Sequence, residues 1–388
     1  MRQTAGVTVL LWISGLSLLC WLWLTCCHGL FWRTDQRLPP HPAPERWPSV
    51  VVLVPARDEA EVLPVSLPGL LAQRYPGEAR VILVDDHSSD GTGELAARLG
   101  AAGGLPLEVT TPPPLPPGWT GKLWALRHGV AAAGTCEYLL LTDADIAHGP
   151  DSLAALVASA EANGLDLVSQ MARLRVATRW ERLIVPAFVY FFAQLYPFRR
   201  SNRPKARTAA AAGGCSLVRR EALERAGGVA AVRGAVIDDV SIARAVKRSG
   251  GRTWLGLAEQ VDSVRPYPEL AQLWRMVSRS AYAQLRHSPL LLAGTVLGLA
   301  LIYLVPPLAV LAGLLGWAPE VLLVGAAAWA LMTGTFLPMV RYYRQPAGSA
   351  LLLPFTALLY LLMTVDSAVQ HWRGQGAAWK GRTYPQPD

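Results

Sequence analysis

Two aspartates separated by a single residue stand where an apolar segment ends. Asp143 and Asp145 follow residues 137–142, a short run rich in strand-forming residues that predicts a buried strand. Hard cations such as Mg²⁺ and Mn²⁺ prefer oxygen ligands and usually take one or two carboxylates, with substrate phosphates and water completing the set. The pair therefore indicates a site for a divalent cation and a phosphate. Alternatively, it caps the next helix, since residues 149–152 are typical of a helix start.

Acidic residues also follow two earlier strand-like segments. Glu59 comes shortly after residues 50–54, and Asp85 and Asp86 come directly after residues 80–84. Ligands of parallel sheets bind at the carboxyl ends of the strands, and carboxylates there can accept hydrogen bonds from a nucleobase and from ribose hydroxyls. The sequence thus favours a nucleoside site at this edge.

Two other interpretations apply to the stretch that follows. Residues 88–91 have the composition of a turn with a helix cap. Residues 91–96 match the dinucleotide-binding pattern G-x-G-x-x-A, whose glycines admit a pyrophosphate to a helix N-terminus. However, residues 85–90, three of them acidic, separate the strand from those glycines and would repel a pyrophosphate. A nucleoside site is therefore favoured over a dinucleotide site.

Three further groups of polar residues lie farther along the chain. Lys122 follows a proline-rich stretch, where it either neutralises a diphosphate as a point charge or is a solvated loop lysine. Asp238 and Asp239 precede a predicted helix, where they either cap it and complement its dipole or supply a general base. Gln272 and Arg275 lie in a helical stretch, and the polar stripe of an amphipathic helix also explains them.

The composition indicates a membrane protein. The chain has 388 residues, 52% of them apolar, and a mean hydropathy of +0.27, which is too apolar for an ordinary soluble enzyme. Residues 7–32, 290–315 and 321–340 are long enough to cross a bilayer. The first segment is expected to be an uncleaved anchor rather than a signal peptide, because no clear Ala-x-Ala site follows it. Residues 350–366 form a shorter stretch that spans, tilts or re-enters.

Charged residues predict the topology and the partners. Arg33 and Arg37 follow the first segment, and Arg341 and Arg344 follow the third, so the positive-inside rule places both positions and the long middle segment in the cytoplasm. The rule leaves the side of the basic tail open. The net charge of +8 indicates anionic lipid headgroups rather than nucleic acid, since no nucleic-acid recognition motif accompanies the arginines. We expect an integral protein of a bacterial-type inner (cytoplasmic) membrane.

Strand-like and helix-like segments alternate between the anchor and Pro289, which predicts an α/β domain with a mostly parallel sheet. Within it, residues 181–200 are expected to lie on the membrane as a helix, with a buried core helix as the alternative. Small residues at 209–215 are suited to line an acceptor passage. The expected domains are an N-terminal anchor (1–37), a cytoplasmic α/β domain (48–288), C-terminal membrane segments (289–370) and a basic tail (371–388).

In their order and spacing, these motifs resemble the family-two glycosyltransferases of GT-A fold, and most closely the membrane-bound hopene-associated glycosyltransferases. Those enzymes are related to ceramide glucosyltransferase-like and carotenoid-glycosylating enzymes. The resemblance covers residues 48–288 by motif and the flanking apolar segments by architecture. It implies a Rossmann-like GT-A domain between N-terminal and C-terminal transmembrane helices.

The resemblance also implies how a donor is bound. Asp145, together with Asp143, would coordinate Mg²⁺ or Mn²⁺. Lys122 would lie near the diphosphate of the donor. The residues implied to bind the nucleotide sugar are Pro55, Glu59, Asp85, Asp86, Lys122 and Asp143.

On the acceptor side, the resemblance assigns catalysis to Asp239, with Asp238 beside it, as the general base. Gln272 and Arg275 match the first and fourth positions of the family's Gln-x-x-Arg-Trp motif, near the acceptor and the donor diphosphate. Met276 stands in place of the tryptophan. This departure argues against a processive polymer synthase.

The expected reaction is an inverting, metal-dependent transfer of a sugar from a nucleotide-sugar donor to a membrane lipid, a hopanoid or another polyisoprenoid. Asp239 would deprotonate the acceptor hydroxyl, while the metal and Lys122 stabilise the departing diphosphate. A polyprenyl-phosphate sugar synthase is one alternative. A non-catalytic nucleotide-binding membrane sensor is another, and it would need no base at Asp239. The residues specify neither the sugar, the nucleobase, the lipid nor the oligomeric state.

Overall fold

A computed structural model of the chain describes residues 2–316, 318–374, 378, 379, 382 and 383. The chain forms two compact units. We call Met1–Thr34, Val176–Arg199 and Tyr267–Gln375 the helical unit. We call Asp35–Arg175, Arg200–Pro266 and Gly376–Asp388 the sheet unit.

Eight strands form one sheet in the sheet unit, in the order β3-β2-β1-β4-β7-β6-β8-β5. Strands β3, β2, β1 and β4 are parallel neighbours, and β6 is parallel to β8. Strand β7 runs antiparallel between β4 and β6, and β5 pairs antiparallel with β8. The strands are β1 (Val50–Ala56), β2 (Ala79–Asp85), β3 (Leu107–Thr110), β4 (Tyr138–Thr142), β5 (Ile146–His148), β6 (Leu167–Arg173), β7 (Cys215–Arg219) and β8 (Thr253–Ser263). Short strands Ala378–Trp379 and Arg382–Thr383 pair near the C-terminus.

The helices occupy both units. They are α1 (Arg2–Cys26), α2 (Leu63–Leu71), α3 (Thr92–Gly100), α4 (Gly121–Ala132), α5 (Ser152–Asn163), α6 (Arg179–Leu195), α7 (Phe198–Ser201), α8 (Arg220–Arg225), α9 (Asp238–Arg248), α10 (Leu270–Gln284), α11 (Pro289–Leu299), α12 (Val305–Leu314), α13 (Pro319–Tyr342) and α14 (Leu353–Trp372). A single-turn 3₁₀ helix spans Val229–Val232.

Hydrophobic layers cover both faces of the sheet because side chains alternate along a strand. Val50, Val52 and Val54 of β1 pack in one buried cluster together with residues of α2 and α5. Val51 and Leu53 pack in the other, together with residues of α4 and α9. Burial on both faces explains why β1 is a continuous apolar run rather than an alternating one. The predicted α/β fold with a mostly parallel sheet is confirmed.

The helical unit holds four helices long and apolar enough to cross a membrane, namely Gly6–Cys26, Pro289–Leu314, Pro319–Tyr342 and Ala347–Trp372. The second is interrupted by a π-helical turn at Ala300–Leu304, next to Pro306 and Pro307, which cannot donate backbone hydrogen bonds. The fourth begins with a 3₁₀ segment, Ala347–Leu352, that continues into α14. Apolar helices therefore stand at both ends of the chain, as predicted.

Helix α6 also belongs to the helical unit. A capping box of Thr178 and Glu181 begins it. Farther along, Tyr190 is buried and its hydroxyl lies 2.8 Å from the Thr335 hydroxyl of α13. One face of α6 thus packs on the apolar helices, and its placement on a membrane surface stays a prediction.

A buried histidine supports the turn that joins β4 to β5. His148 Nε2 lies 2.9 Å from the Thr142 hydroxyl, and its Nδ1 lies 3.1 Å from the Ser152 hydroxyl. Burial lowers the pKa of His148 from 6.5 to about 4. The side chain is therefore neutral in the folded protein at neutral pH.

This histidine predicts a loss of stability in mild acid. As the pH falls below about 6.5, the unfolded chain takes up a proton that the folded chain binds only near pH 4, so stability decreases across that window. At pH 5 the expected loss of unfolding free energy is about 2 kcal/mol. Denaturant titration of the detergent-solubilised protein at pH 7 and pH 5 measures it. His148→Gln should remove this part of the pH dependence, whereas the same substitution at the exposed His41 should retain it.

Candidate active site

The carboxyl ends of β1 and β4 border a small open cavity in the sheet unit. Polar residues from four separate chain segments line it, because the sheet order brings those segments to one edge. These residues are Lys122, Thr142, Asp143, Ser216, Asp238 and Asp239, and Gly213 and Pro55 also contribute to the lining.

Lys122 is the basic residue among those that line the cavity. It is the second residue of α4, and its Nζ lies 2.7 Å from Asp143 Oδ1 and 3.1 Å from Asp238 Oδ2. Burial by itself lowers the pKa of Lys122, but Asp143, Asp238 and Asp239 together outweigh burial and hold it well above 10.5. Lys122 is thus a permanently charged group among carboxylates rather than a solvated loop lysine.

Asp238 and Asp239 lie in the first turn of α9, and neither of them caps it. The N-cap position is Ile237, and no side chain caps the helix. Asp239 Oδ1 accepts a hydrogen bond of 2.7 Å from the backbone N–H of Val240. Burial and the neighbouring Asp238 raise the pKa of Asp239 to about 7, against the opposing effect of Lys122. A carboxyl group with a pKa near neutrality is suited to accept and release a proton.

Asp143 and Asp145 lie in the turn between β4 and β5 rather than at a helix start. Helix α5 begins at Ser152, and its N-cap is Asp151, so the alternative interpretation as a helix cap does not apply to the pair. Burial raises the pKa of Asp143, and the carboxylates of Asp145 and Asp238 add to the effect of burial.

A segment of small residues brings the chain close to these charges. Residues 209–212 are buried alanines, and Gly213 follows them into the cavity. A Cβ atom at Gly213 would lie only 3.4 Å from both Asp239 Oδ2 and Lys122 Nζ. Glycine at this position therefore keeps the space between the two groups open.

Three acidic residues lie where β1 and β2 end. Ala56 pairs with Asp85 in the parallel register, and the backbone N–H of Asp86 donates to the Ala56 carbonyl at 2.8 Å. The side chains of Glu59 and Asp86 are buried. A Cβ atom at Gly93 would lie 2.7 Å from Asp85 Oδ2. The predicted nucleoside-binding residues are thus neighbours at one edge of the sheet.

Of the alternative interpretation of residues 88–91, the turn is correct, but the helix cap is wrong, because the N-cap of α3 is Gly91 and no side chain caps the helix. Asp90 Oδ1 accepts a hydrogen bond of 3.1 Å from the backbone N–H of Thr92, and Asp85 Oδ1 accepts one of 3.0 Å from Ser88. Gly91 has a φ of 81° just before α3. The glycines therefore lie beyond an acidic turn, which disfavours a dinucleotide site.

Arg265 joins the two groups of acidic residues, and the sequence analysis missed it. Its Nη2 lies 2.5 Å from Glu59 Oε2, and its Nε lies 2.8 Å from Asp145 Oδ2. Strand β5 pairs with β8 so that Ile146 faces Ser263, and the N–H of Val264 donates to the Asp145 carbonyl. The guanidinium of Arg265 thus fixes Glu59, a predicted nucleoside-binding residue, relative to Asp145, a predicted metal ligand.

Replacing Arg265 with alanine is expected to lower the free energy of unfolding by about 2 kcal/mol, because the buried Glu59 carboxylate loses the guanidinium it pairs with. Arg265→Lys should recover only part of the lost stability, since one ammonium group cannot replace a planar guanidinium that pairs with both Glu59 and Asp145. Arg173→Ala is the matched control. It removes a two-bond pair with Asp262 that is more exposed, so its loss should be under about 1 kcal/mol. Equal losses in denaturant titrations would contradict the assigned role of Arg265.

The same part of the chain matches a known family. Residues 51–227 fit the family model of glycosyl transferase family 2. The chain contains a glycosyl transferase family 2 domain. The matched residues include Glu59, Asp86, Lys122, Asp143 and Asp145, whereas α9 and β8 lie beyond them. The protein is therefore a glycosyltransferase, as expected.

A solved glycosyltransferase has the same fold. The mannosyltransferase of Pyrobaculum calidifontis, in complex with GDP-Man and Mn²⁺, is 22% identical, and the match covers 95% of this chain and 97% of that chain with a TM-score of 0.53. The match leaves about 19 of the 388 residues of this chain uncovered. The shortest of the four apolar helices has 21 residues, so none of the four can lie wholly outside the match. The likeness therefore extends from the GT-A domain into the apolar helices.

Two other glycosyltransferases match more distantly. Mannosyl-3-phosphoglycerate synthase of Rubrobacter xylanophilus is 20% identical over 62% of this chain and 74% of that chain, with a TM-score of 0.38. Glucosyl-3-phosphoglycerate synthase of Mycobacterium tuberculosis, solved with Mn²⁺ and UDP-glucose, is 17% identical over 61% of this chain and 79% of that chain, with a TM-score of 0.38.

The donor atoms of this glycosyltransferase fit a hard divalent cation. Among the described residues, no group of three or more His, Cys, Asp or Glu side chains is arranged to hold a metal ion. Asp143 and Asp145 nevertheless offer two carboxylates from one turn, which is the usual protein share for Mg²⁺ when substrate phosphates supply the other ligands. The pair therefore suits a cation that binds together with a phosphorylated substrate.

Gln272 and Arg275 lie on α10 of the helical unit. Gln272 takes part in a capping box with Glu269 at the start of α10, and Arg275 Nε donates to the Ala271 carbonyl at 3.3 Å. Helix α10 packs on α14, where the Ser367 hydroxyl accepts a hydrogen bond of 3.0 Å from the N–H of Tyr282. The roles of Gln272 and Arg275 toward acceptor and diphosphate stay predictions.

Proposed function

We propose that this glycosyltransferase transfers a sugar from a nucleotide-sugar donor to a hydroxyl group of a membrane lipid, with inversion at the anomeric carbon. The observation that carries the proposal is one cavity in which Lys122 pairs with Asp143 on one side and with Asp238 on the other, next to Asp239. Lys122, a cation suited to stabilise a leaving diphosphate, and Asp239, a carboxylate suited to act as a general base, thus line the same cavity. Group transfer needs both.

Five acidic residues and Lys122 have proposed roles in binding the donor. Glu59, Asp85 and Asp86, with Pro55 beside them, accept hydrogen bonds from the nucleobase and the ribose. Lys122 binds the diphosphate as a point charge. Asp145 and Asp143 would hold Mg²⁺ or Mn²⁺, which when bound supplies further positive charge to the diphosphate.

The chemical step is a single displacement. Asp239 takes the proton of the acceptor hydroxyl as its oxygen forms a bond to the anomeric carbon. The bond from that carbon to the diphosphate oxygen breaks, and the electron pair leaves with the diphosphate, beside Lys122. Attack and departure occur on opposite faces of the sugar, so the configuration inverts and no sugar is bonded to the protein.

The lipid acceptor is proposed from the apolar helices and from the small residues beside the cavity. Four helices long and apolar enough to span a membrane belong to this chain, and such helices would hold the enzyme next to membrane lipids. Gly213 leaves room beside Asp239 for an acceptor oxygen. We propose a hopanoid or another polyisoprenoid as the acceptor, in line with the hopene-associated enzymes that the motifs resemble.

The proposed topology follows from the positive-inside rule. Arg33 and Arg37 follow the first apolar helix, and Arg341 and Arg344 lie at the end of the third and just after it, so the rule assigns these positions to the cytoplasmic side. We therefore propose that residues 48–288 work at the cytoplasmic face of a bacterial inner membrane. There, Gln272 and Arg275 assist at the acceptor and the diphosphate.

A lipid comparison tests this function. Cells with the intact gene, with a deletion, and with the Asp239→Asn gene are extracted, and their lipids are compared by mass spectrometry. The proposal predicts one or more lipids heavier by a sugar residue that occur only with the intact gene. A set of glycolipids that is unchanged by deletion would contradict it, as would full restoration by the Asp239→Asn gene.

A further inference from the structure

A short loop of the sheet unit concentrates positive charge. Residues 202–207, which we call the basic loop, connect α7 to the alanine segment and have the sequence Asn-Arg-Pro-Lys-Ala-Arg. Arg203, Lys205 and Arg207 are exposed, and the loop contains no acidic residue. Three exposed cations thus occur within five consecutive residues.

The structure holds the ends of this loop together. Lys247 of α9 donates from Nζ to the carbonyl of Ser201 at 2.6 Å and to the carbonyl of Thr208 at 2.8 Å. Asn202 exchanges two side-chain hydrogen bonds with the backbone of Leu255, at 2.9 Å and 2.7 Å. Because hydrogen bonds fix both ends of the loop, its backbone holds the three cations close together at the protein surface.

The three cations are clustered in sequence and are not neutralised by the described acids of the sheet unit. Within the described part of the chain, Arg203, Lys205 and Arg207 form no ion pair. Several arginines elsewhere in the unit pair with acids, among them Arg46 with Glu137, Arg74 with Asp151, Arg80 with Glu108, Arg219 with Glu161 and Arg220 with Glu224. The charge of the basic loop is therefore available to an external anion.

We propose that the basic loop binds the phosphate groups of anionic phospholipids at the membrane surface. Clustered Lys and Arg side chains next to a membrane are attracted to anionic headgroups. The chain carries four helices apolar enough to lie in a bilayer, and the loop begins only three residues after Val176–Arg199, a segment of the helical unit. This binding is independent of the sugar-transfer reaction.

Trypsin provides the test, because Lys205 and Arg207 are cleavable whereas Pro204 protects the bond after Arg203. The full chain is placed in nanodiscs of phosphatidylcholine alone or with about 30% phosphatidylglycerol, a fraction that makes the surface anionic. Cleavage after Lys205 and Arg207 should be at least about fivefold slower in the anionic nanodiscs, and about 0.5 M NaCl should restore it by screening. Cleavage after the exposed Arg98 of α3 serves as the internal control.

The outcomes separate the possible sources of phosphate. Protection by phosphatidylglycerol but not by inorganic phosphate supports the proposal. Equal cleavage in both nanodiscs overturns it, and so does equal protection by inorganic phosphate, which would indicate a site for free phosphate. Protection that includes Arg98 also overturns it, because the effect would then not belong to the loop.

A variant tests the same proposal without trypsin. Replacing Arg203, Lys205 and Arg207 by glutamine should lower the amount of phosphatidylglycerol that copurifies with the protein, measured by mass spectrometry, at least about fivefold. The matched control replaces three exposed arginines elsewhere in the unit, Arg98, Arg127 and Arg248, and removes the same charge. Equal phosphatidylglycerol in the two variants would contradict the assignment to the basic loop.

Discussion

Asp239→Asn is expected to lower the turnover number about 10²- to 10⁴-fold, the usual contribution of a general base. Asparagine keeps the size of the side chain and can still accept the hydrogen bond from Val240, but it cannot take a proton from an acceptor. Donor binding should stay within about twofold of that of the native protein. Initial rates of nucleoside diphosphate release give the turnover number, and titration calorimetry with a nucleoside diphosphate gives the affinity.

Asp151→Asn is the matched control for this substitution. Asp151 is also an aspartate at a helix start, the N-cap of α5, and it pairs with Arg74 at the surface. Because it lies outside the cavity lining, its turnover number should be close to that of the native protein. Similar losses in both variants would mean that Asp239 serves only the helix terminus. An unchanged rate for Asp239→Asn would exclude it as the base.

Lys122→Gln is expected to lower the turnover number about 10²- to 10³-fold, the usual effect of removing one group that stabilises developing negative charge. The KM for the donor should rise as well, because the ammonium binds the diphosphate before and during bond breaking. The variant also leaves Asp143, Asp238 and Asp239 without their shared cation. The free energy of unfolding should therefore fall by about 3 kcal/mol.

Arg98→Gln is the control for Lys122→Gln, since Arg98 is an exposed cation of the same unit that lies outside the cavity lining. It should retain the native turnover number, KM and stability. Steady-state kinetics and denaturant titration of both variants give these three quantities. Lys122→Gln with native kinetics but lowered stability would show that Lys122 only balances the charge of the acids.

The acids at the strand ends were predictable because buried parallel strands have a clear local pattern. Runs of apolar residues marked β1, β2 and β4, and the carboxyl ends of such strands meet at one edge. It follows that Glu59, Asp86 and Asp143 lie near that edge. Lys122 was not predictable in this way, because the proline-rich stretch before it indicated only where α4 begins, and its role near a diphosphate was expected from the resemblance alone.

Arg265 and Gly213 were not predictable, because each reaches the site through a long-range strand pairing. Arg265 depends on the pairing of β8 with β5, a strand of three residues whose sequence carries no strand pattern. Gly213 depends on β7, which inserts antiparallel between β4 and β6. Local periodicity contains no information about such pairings. The ion pairs of Lys122 with Asp143 and Asp238 were also not predictable, because they join residues that are far apart in the sequence.

The fourth apolar helix shows how a charge can mislead a sequence-based boundary. Asp366 marked the end of the apolar stretch, but α14 continues to Trp372. Its carboxylate accepts a hydrogen bond of 2.8 Å from Trp274 of α10 and one of 2.5 Å from Gln370. An acid that is matched in this way is tolerated within an apolar helix.

Lipid-dependent release of nucleoside diphosphate is the decisive measurement for this enzyme. The purified full chain in nanodiscs, with Mn²⁺, is given a panel of nucleotide sugars in the presence and absence of a polyisoprenoid lipid with a free hydroxyl. We predict that at least one donor releases its nucleoside diphosphate only when the lipid is present, together with an equal amount of glycolipid. Nucleotide binding without release from any donor would contradict sugar transfer. Release that does not depend on the lipid would contradict a lipid acceptor.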